Sequence, residues 1–300
     1  MNSLVDQPLL GRDEIAQLIA AGVALAAQSS VQINQHLNSG SNQSSLMGSG
    51  TDFDDLRIYQ SGDDLCKIDW RASARSQEQL VRTYRSEFQQ PFQLIVDRNS
   101  TMRFGTKKRL KVTQAARLSL WLLGLYHQQG YALGALLLEQ DIKMFDCRVG
   151  VDWLNLLSDA LVSPAPPSQI SPINWHTVLT QLITETTIGT KVVLISDFRS
   201  LNDAHRALLR ELAERTTLSA FVISDPMERD PLALNDTDLI WRGQTFFVDG
   251  QESVHRLQQT YLNQLSEIQA LMSQSGIPLF QLCSSVDQFS RSLFSSEYYE

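Results

Sequence analysis

The sequence of 300 residues has little cysteine, and its three cysteines, Cys66, Cys147 and Cys283, are far apart. Their number is odd and no Cys-x-x-Cys pair is present, so the sequence predicts neither a disulfide framework nor a cysteine-based zinc site. No apolar run reaches the roughly 18 residues that a transmembrane helix needs. The first residues lack the basic and apolar stretches of a secretory signal. These absences lead us to expect a cytoplasmic protein.

The sequence also lacks the short motifs of common enzyme classes. The Gly-Thr-Lys runs at Gly105 and Gly189 have no leading glycine at the spacing of a phosphate-binding loop. Gly48 and Gly50 lie in a linker-like stretch and do not follow a strand, which excludes a dinucleotide fingerprint. There is no G-x-S-x-G elbow, and the five histidines are scattered singly. We therefore predict that the protein is not an enzyme.

Charge is distributed unevenly along the chain. The net charge is −8, yet the block from Arg57 to Lys111 holds 12 lysines and arginines against 6 acidic residues. Such a block can bind nucleic acid or an acidic protein surface. The interpretation that we favour is that these cations pair with the protein's own carboxylates. Nucleic acid is the weaker alternative, because the block carries no RNA-binding pattern of interleaved aromatic residues.

An N-terminal helix precedes the main body of the protein. Between Asp13 and Gln28, the spacing places Ile15, Leu18, Ile19 and Leu25 on one helical face. A stretch rich in Ser, Gly and Asn follows and predicts a flexible linker. We divide the chain into a helical appendage (1–37), the linker (38–50), a segment packed on the core (51–90) and an α/β domain (91–290).

From residue 80 onward, short β-type runs alternate with helical patterns. FQLIVD and KVVLIS are apolar and rich in branched residues, as expected for strands covered on both faces. DLIWRG and QTFFVDG predict a β-hairpin. The β-α-β-α order predicts a Rossmann-like, three-layer α/β/α domain with a mostly parallel central sheet. Such sheets bind ligands at the carboxyl ends of their strands.

Two of these strands lead into an aspartate at that edge, Asp97 after one and Asp197 after the other. Asp97, Asn99 and Thr101 alternate in one loop, so three oxygen side chains can converge on one point. Together with Asp197 they form a set of hard oxygen ligands suited to Mg²⁺ or Mn²⁺. The alternative is that Asp97 and Asn99 only cap the turn that follows.

The loop resembles the metal-ion-dependent adhesion site of von Willebrand factor A domains, whose motif is Asp-x-Ser-x-Ser. More specifically, the chain resembles bacterial DUF58 proteins, a group with a von Willebrand A-like core. The likeness extends from Gly48 to the last strand and is carried by five stretches in a shared order: GSGTDFDDLRIYQSGDD, KIDWRASAR, LIVDRNSTMRFG, LISDF and ISDPMERDPL.

The resemblance implies a domain that binds protein partners through a metal-centred loop cluster. Proteins of this group are commonly linked to AAA+ ATPases of the MoxR type, as adaptors in assembling or remodelling other proteins. Two departures bear on the metal site. Asn99 and Thr101 stand where the motif has serines, and the threonine of a later loop is replaced by Asn174, with Thr177 a turn further on.

A charged segment upstream of the sheet offers a second candidate surface beside the metal loop. The candidate partner-binding residues are Asp63, Asp64, Asp69, Arg71, Arg75 and Asn174. The alternative that we favour for the upstream residues is a buried ion-pair network with Trp70 in the core.

The alternative function is a metal-dependent phosphohydrolase with Asp97 as nucleophile. Phosphohydrolases of the haloacid dehalogenase type carry Asp-x-Asp at this point. Asn99 occupies the second position and cannot act as an acid or a base.

Overall fold

The computed structural model describes residues 8–28, 52–59, 68–76, 78–85, 89–106, 108–139, 141–164, 173–231, 237–241, 244–248 and 250–290. The chain forms two compact units. One contains residues 1–40 and 90–300, and the other contains residues 41–89. The N-terminal helix, predicted as an appendage, therefore belongs to the same unit as the α/β domain.

From β2 onward, the strands lie in the part of the chain where the sequence predicts them. The described strands are β1 (Asp52–Ile58), β2 (Leu80–Arg85), β3 (Pro91–Asp97), β4 (Ala132–Leu138), β5 (Ile142–Arg148), β6 (Lys191–Ser196), β7 (Thr217–Ser224), β8 (Thr237–Trp241), β9 (Gln244–Val248) and β10 (Leu279–Cys283). The described α-helices are α1 (Arg12–Gln28), α2 (Trp70–Ser73), α3 (Lys111–Gln128), α4 (Val151–Val162), α5 (Trp175–Glu185), α6 (Arg206–Arg215), α7 (Pro226–Arg229) and α8 (Gly250–Gln274). Short 3-10 turns cover Ser100–Arg103 and Asp203–His205.

The larger unit is built on a six-stranded sheet with the order β10-β7-β6-β3-β4-β5. All neighbours are parallel except β4 and β5, which are antiparallel. Numbered from β3, this is the 3-2-1-4-5-6 order of a doubly wound sheet, in which the order reverses between β3 and β6. The predicted three-layer α/β/α architecture is confirmed.

Helices cover both faces of this sheet, which explains why its central strands are apolar without alternation. Leu94 and Val96 belong to a buried cluster that includes residues of α1, α3 and α4. Ile95 points to the other face and packs in a cluster with residues of α5, α6 and α8. Successive side chains of a strand point to opposite faces, so a strand between two helical layers must be apolar at every position.

Helix α1 packs closely against α3 through two glycines. A Cβ added to Gly124 would lie 2.3 Å from the carbonyl oxygen of Ile19, and one added to Gly22 would lie 2.1 Å from that of Trp121. Real Cβ atoms do not approach backbone so closely, so both positions must lack a side chain. Leu18 of the predicted apolar face is buried in the shared core.

The smaller unit contains the antiparallel pair β1 and β2. Strand β1 lies in a segment for which the sequence predicted no strand. The Oδ1 atom of Asp69 accepts hydrogen bonds from the backbone N–H groups of Arg71 and Ala72, both at 3.0 Å, and so caps α2. The Trp70 side chain is 66% exposed, so the interpretation that placed it in a core is wrong.

Other predictions concern the hairpin, the linker and membrane spans. Strands β8 and β9 pair antiparallel, as expected. The predicted linker, residues 38–50, lies outside the described residues. Within the part of the chain that the structure describes, no helix is long and apolar enough to cross a bilayer.

Candidate functional site at the carboxyl edge of the sheet

Three aspartates lie where three neighbouring strands end. Asp97 is the last residue of β3, Asp197 follows β6 and Asp225 follows β7. All three side chains are buried. The pair from β3 and β6 stands at the reversal of strand order, where doubly wound sheets generally bind ligands. Sequence analysis singled out Asp97 and Asp197 but not Asp225, which lies in the family-like stretch ISDPMERDPL.

Both carboxyl oxygens of Asp97 accept hydrogen bonds. Oδ1 accepts from the backbone N–H of Asn99 at 2.9 Å, and Oδ2 accepts from the Ser196 hydroxyl at 2.6 Å. Burial, and then the neighbouring charge of Asp197, raise the pKa of Asp97 to about 7, although the two hydrogen bonds and Lys111 act to lower it. The group is therefore partly protonated at neutral pH.

A buried lysine neutralises the second aspartate. The Lys111 side chain is fully buried at the start of α3, and its Nζ lies 2.9 Å from Asp197 Oδ2 and 2.8 Å from Glu228 Oε1. Arg199 contacts the same two carboxylates from the outside, with Nε 3.4 Å from Asp197 Oδ2. Two cations thus balance two carboxylates. No sequence pattern pointed to Lys111 or Glu228, because they lie 86 and 31 residues from Asp197 and meet it only in the fold.

The loop after β6 takes a shape that is uncommon for a non-glycine residue. Phe198 has a φ of 53°, in the left-handed region. Its backbone N–H donates to the Ser196 hydroxyl at 2.9 Å, and its buried ring lies 5.6 Å from the ring of Trp175. These contacts explain the Leu-Ile-Ser-Asp-Phe stretch, because they hold the turn in which Asp197 faces Lys111.

Asp225 ties three loops of the same edge together. Its carboxyl group accepts hydrogen bonds from the backbone N–H and the hydroxyl of Thr106, from the backbone N–H of Met227 and from the Ser284 hydroxyl. Its own backbone N–H donates to Glu228 Oε2 at 2.9 Å, which completes a capping box for α7. The loop after β3 and the end of β10 are thereby fixed to α7.

Of the four predicted metal ligands, the structure brings Asp97 and Asp197 into electrostatic contact. The backbone N–H of Asn99 donates a hydrogen bond to Asp97 Oδ1. Thr101 lies in a 3-10 turn and is partly exposed. No group of three His, Cys, Asp or Glu side chains able to hold a metal ion occurs among the residues that the structure describes.

The contacts at this edge do not fit a divalent ion. Mg²⁺ and Mn²⁺ require several oxygen ligands with free lone pairs around one open point. Lys111 already forms an ion pair with Asp197. The two carboxyl oxygens of Asp97 accept hydrogen bonds from Asn99 and Ser196.

One predicted partner-binding residue lies at this edge. The exposed Asn174 caps α5, with its Oδ1 accepting from the backbone N–H of Thr177 at 3.2 Å. The Ser200 hydroxyl donates to the carbonyl of Ile173 at 3.3 Å, which places Asn174 beside the loop that follows β6.

The other predicted partner-binding residues belong to the smaller unit. Arg71 and Arg75 are exposed, and Asp69 caps α2. Asp63 and Asp64 lie outside the described residues. Whether these residues contact a partner stays a prediction.

Cations of the basic block pair with the protein's own acidic groups, as the favoured interpretation expected. The buried Arg98 lies 3.1 Å from Glu139. Lys108 and Arg109 lie 2.5 and 2.6 Å from the carboxylate of Asp287. These pairs neutralise three of the twelve cations that made nucleic acid a candidate ligand.

The stability difference between the wild type and an Asp97→Asn variant is expected to change with pH. Because the pKa of Asp97 is raised from 3.8 to about 7, the folded protein retains a proton that the unfolded chain releases. This contribution is fully present below pH 3.8 and is lost as the pH rises through about 7. The wild type should therefore lose stability relative to Asp97→Asn across this window. Urea titrations of both proteins at about pH 5 and about pH 8 measure the effect, and a pH-independent difference would contradict it.

Comparison with known proteins identifies a family whose model matches this sequence. The model of a family described as "Protein of unknown function DUF58" matches residues 55–240. No curated protein matches the sequence. Similar solved structures include a conserved hypothetical protein BatB from Bacteroides thetaiotaomicron, 13% identical with a TM-score of 0.45 over 65% of this chain and 91% of that one. Another is an aerotolerance-related membrane protein from Bacteroides fragilis, 12% identical with a TM-score of 0.35 over 61% and 99%.

A third similar structure is an uncharacterized membrane spanning protein from Vibrio fischeri, 11% identical with a TM-score of 0.25 over 65% and 91%. All three TM-scores lie below 0.5, so these structures carry no weight for the architecture or function of this chain. The family match, in contrast, covers more than half of the sequence and includes both Asp97 and Asp197. The chain belongs to the DUF58 family.

Proposed function

We propose that the larger unit is a non-catalytic protein-binding module with a von Willebrand A-like core. The observation that carries the proposal is the contrast between the carboxyl groups at the strand ends, which are buried and paired, and the loop residues around them, which are exposed. Asp97 is 1% exposed and both its oxygens are engaged. A phosphohydrolase would need this carboxylate free to attack a phosphate, so the geometry argues against that alternative.

The von Willebrand A-like part of the proposal is supported by the position of the loop. The Asp-x-Asn-x-Thr sequence starts at the end of β3, beside the reversal of strand order, and Asp197 directly follows the neighbouring strand β6. A buried network of this kind holds the surrounding loops in one arrangement. A rigid set of loops is suited to recognising a protein surface, because little conformational entropy is lost on binding.

The exposed rim of this edge offers a cationic contact point. The side chain of Arg199 is 37% exposed, while Asp197 and Glu228 hold its guanidinium from the inside. Asn174 and Thr106 are exposed beside the same loops. Arginine is enriched among the residues that dominate protein interfaces. We take this rim to be the partner-binding surface and an acidic group of the partner to be its contact.

The partner class that we propose is an AAA+ ATPase of the MoxR type, with the protein acting in the cytoplasm as an adaptor for the assembly or remodelling of other proteins. This part rests on the family resemblance. Tagged wild-type protein should recover such an ATPase from a native lysate. Arg199→Ala should reduce recovery by about tenfold, the loss typical of one interface arginine.

Arg210→Ala is the matched control, because Arg210 is an exposed arginine on α6. It should recover the ATPase as well as the wild type does. Equal recovery by Arg199→Ala would place the partner surface elsewhere, and the exposed Trp70, Arg71 and Arg75 would be tested next. Recovery of no defined protein, together with turnover of phosphate esters that Asp97→Asn abolishes, would overturn the adaptor proposal.

A further inference from the structure

We infer that the ammonium group of Lys111 takes the charge-neutralising role of a divalent ion at the strand ends, so that this site is complete without metal. The inference goes beyond partner binding and does not depend on it. It concerns a side chain that lies outside the Asp-x-Asn-x-Thr loop and is fully buried beside Asp197, where the family resemblance implies an ion.

Lys111 is a fully buried and paired cation. A lysine is almost never fully buried unless it is paired, because removing its charge from water is costly. Lys111 meets this condition with contacts of 2.9 Å to Asp197 and 2.8 Å to Glu228, whose side chains are themselves 6% and 9% exposed. The ammonium group therefore pairs with the same carboxylates that a metal ion would need as ligands.

The position of Lys111 is fixed from the backbone outward. Its backbone N–H donates to the carbonyl of Phe104 at 2.9 Å, which anchors the start of α3. The preceding loop is held through the hydrogen bonds between Thr106 and Asp225. The backbone that carries Lys111 is thus held in place, and withdrawal of the ammonium group would break its contacts with Asp197 and Glu228.

A divalent ion and Lys111 exclude one another. Two like charges a few ångströms apart in a buried site repel strongly. An ion between Asp97 and Asp197 would also have to compete for Asp197 Oδ2, which lies 2.9 Å from the ammonium nitrogen. Without the lysine, Asp197 and Glu228 would keep the contacts with Arg199 but would carry one excess negative charge, which should attract a cation.

The test is Mn²⁺ binding to the purified full chain, measured by calorimetry and by thermal unfolding. The wild type should bind no ion at about 1 mM Mn²⁺, and its melting temperature should not move. Lys111→Ala should unfold at a lower temperature and should gain one Mn²⁺ site. An ion at about a hundred times its Kd should raise the melting temperature of this variant by on the order of 5 °C.

Lys108→Ala is the matched control, since Lys108 is a lysine of the same segment with an exposed side chain. It should gain no site. A folded Lys111→Ala protein that stays insensitive to Mn²⁺ would overturn the inference. If Lys111→Ala does not fold, Mn²⁺ binding by the wild type serves as the test. A wild-type site with a Kd below about 0.1 mM that Asp97→Asn abolishes would then overturn the inference, and its absence would support it.

Discussion

Gly124→Ala is expected to destabilise the protein by about 2–3 kcal/mol and to loosen α1 from α3. The added Cβ would lie 2.3 Å from the carbonyl oxygen of Ile19 and 3.0 Å from its carbonyl carbon and Cα. These are backbone atoms, so no side-chain rotation relieves the overlap, and the two helices must separate. The direction of the stability change is informative, because replacing glycine by alanine within a helix otherwise stabilises a protein by roughly 0.5–1 kcal/mol.

Denaturant titration measures the loss, and hydrogen exchange of the amides of Arg12–Gln28 shows whether α1 loses protection. Gly11→Ala is the control, because a Cβ at Gly11 would meet nothing within 4 Å. It should change stability by less than about 0.5 kcal/mol. A Gly124→Ala protein as stable as the wild type would contradict the close helix contact.

Asp225→Ala is expected to cost about 3–5 kcal/mol of unfolding free energy, the second large effect. The substitution removes the acceptor of the Thr106 N–H and hydroxyl, of the Met227 N–H and of the Ser284 hydroxyl at a fully buried position. Each buried donor left without a partner carries a desolvation penalty. The loop after β3, α7 and the end of β10 would lose their common anchor.

Thermal and denaturant unfolding measure this cost. The stability of Asp225→Asn should lie between that of the wild type and that of Asp225→Ala, because the amide keeps one acceptor oxygen. The control is Asp146→Ala, which removes an exposed carboxylate whose partner Arg148 is also exposed. A surface pair of this kind contributes about 0–1 kcal/mol. An Asp225→Ala protein no less stable than Asp146→Ala would show that the anchor has no energetic importance.

Much of the fold follows from local patterns. The apolar runs that became β3 and β6 were predicted as strands, because strands between two helical layers carry branched apolar residues at every position. Local patterns also identified the hairpin of β8 and β9. Strand β1 was missed, since its sequence DFDDLRI contains too few apolar residues to show a strand pattern.

The α1 contact shows how a local pattern can be misread. In the sequence, Gly124 interrupts an apolar run and favours no contact. In the structure it is the point where Ile19 of another helix approaches the backbone. Glycine is required at this position only because two segments that are distant in the chain pack together. The periodicity of apolar residues along one helix cannot reveal this requirement.

By itself the sequence determined the layered α/β/α class, the family and the positions of Asp97 and Asp197, because each of these depends on residues that are close along the chain or on a shared order of motifs. Only the tertiary structure decided what surrounds the two aspartates. Lys111 comes from α3, whereas Asp225 and Glu228 come from the start of α7. They neutralise or anchor the site only after the sheet brings the strand ends together. Charge pairing in a buried site is a property of three-dimensional distance, which the spacing of residues along a chain does not encode.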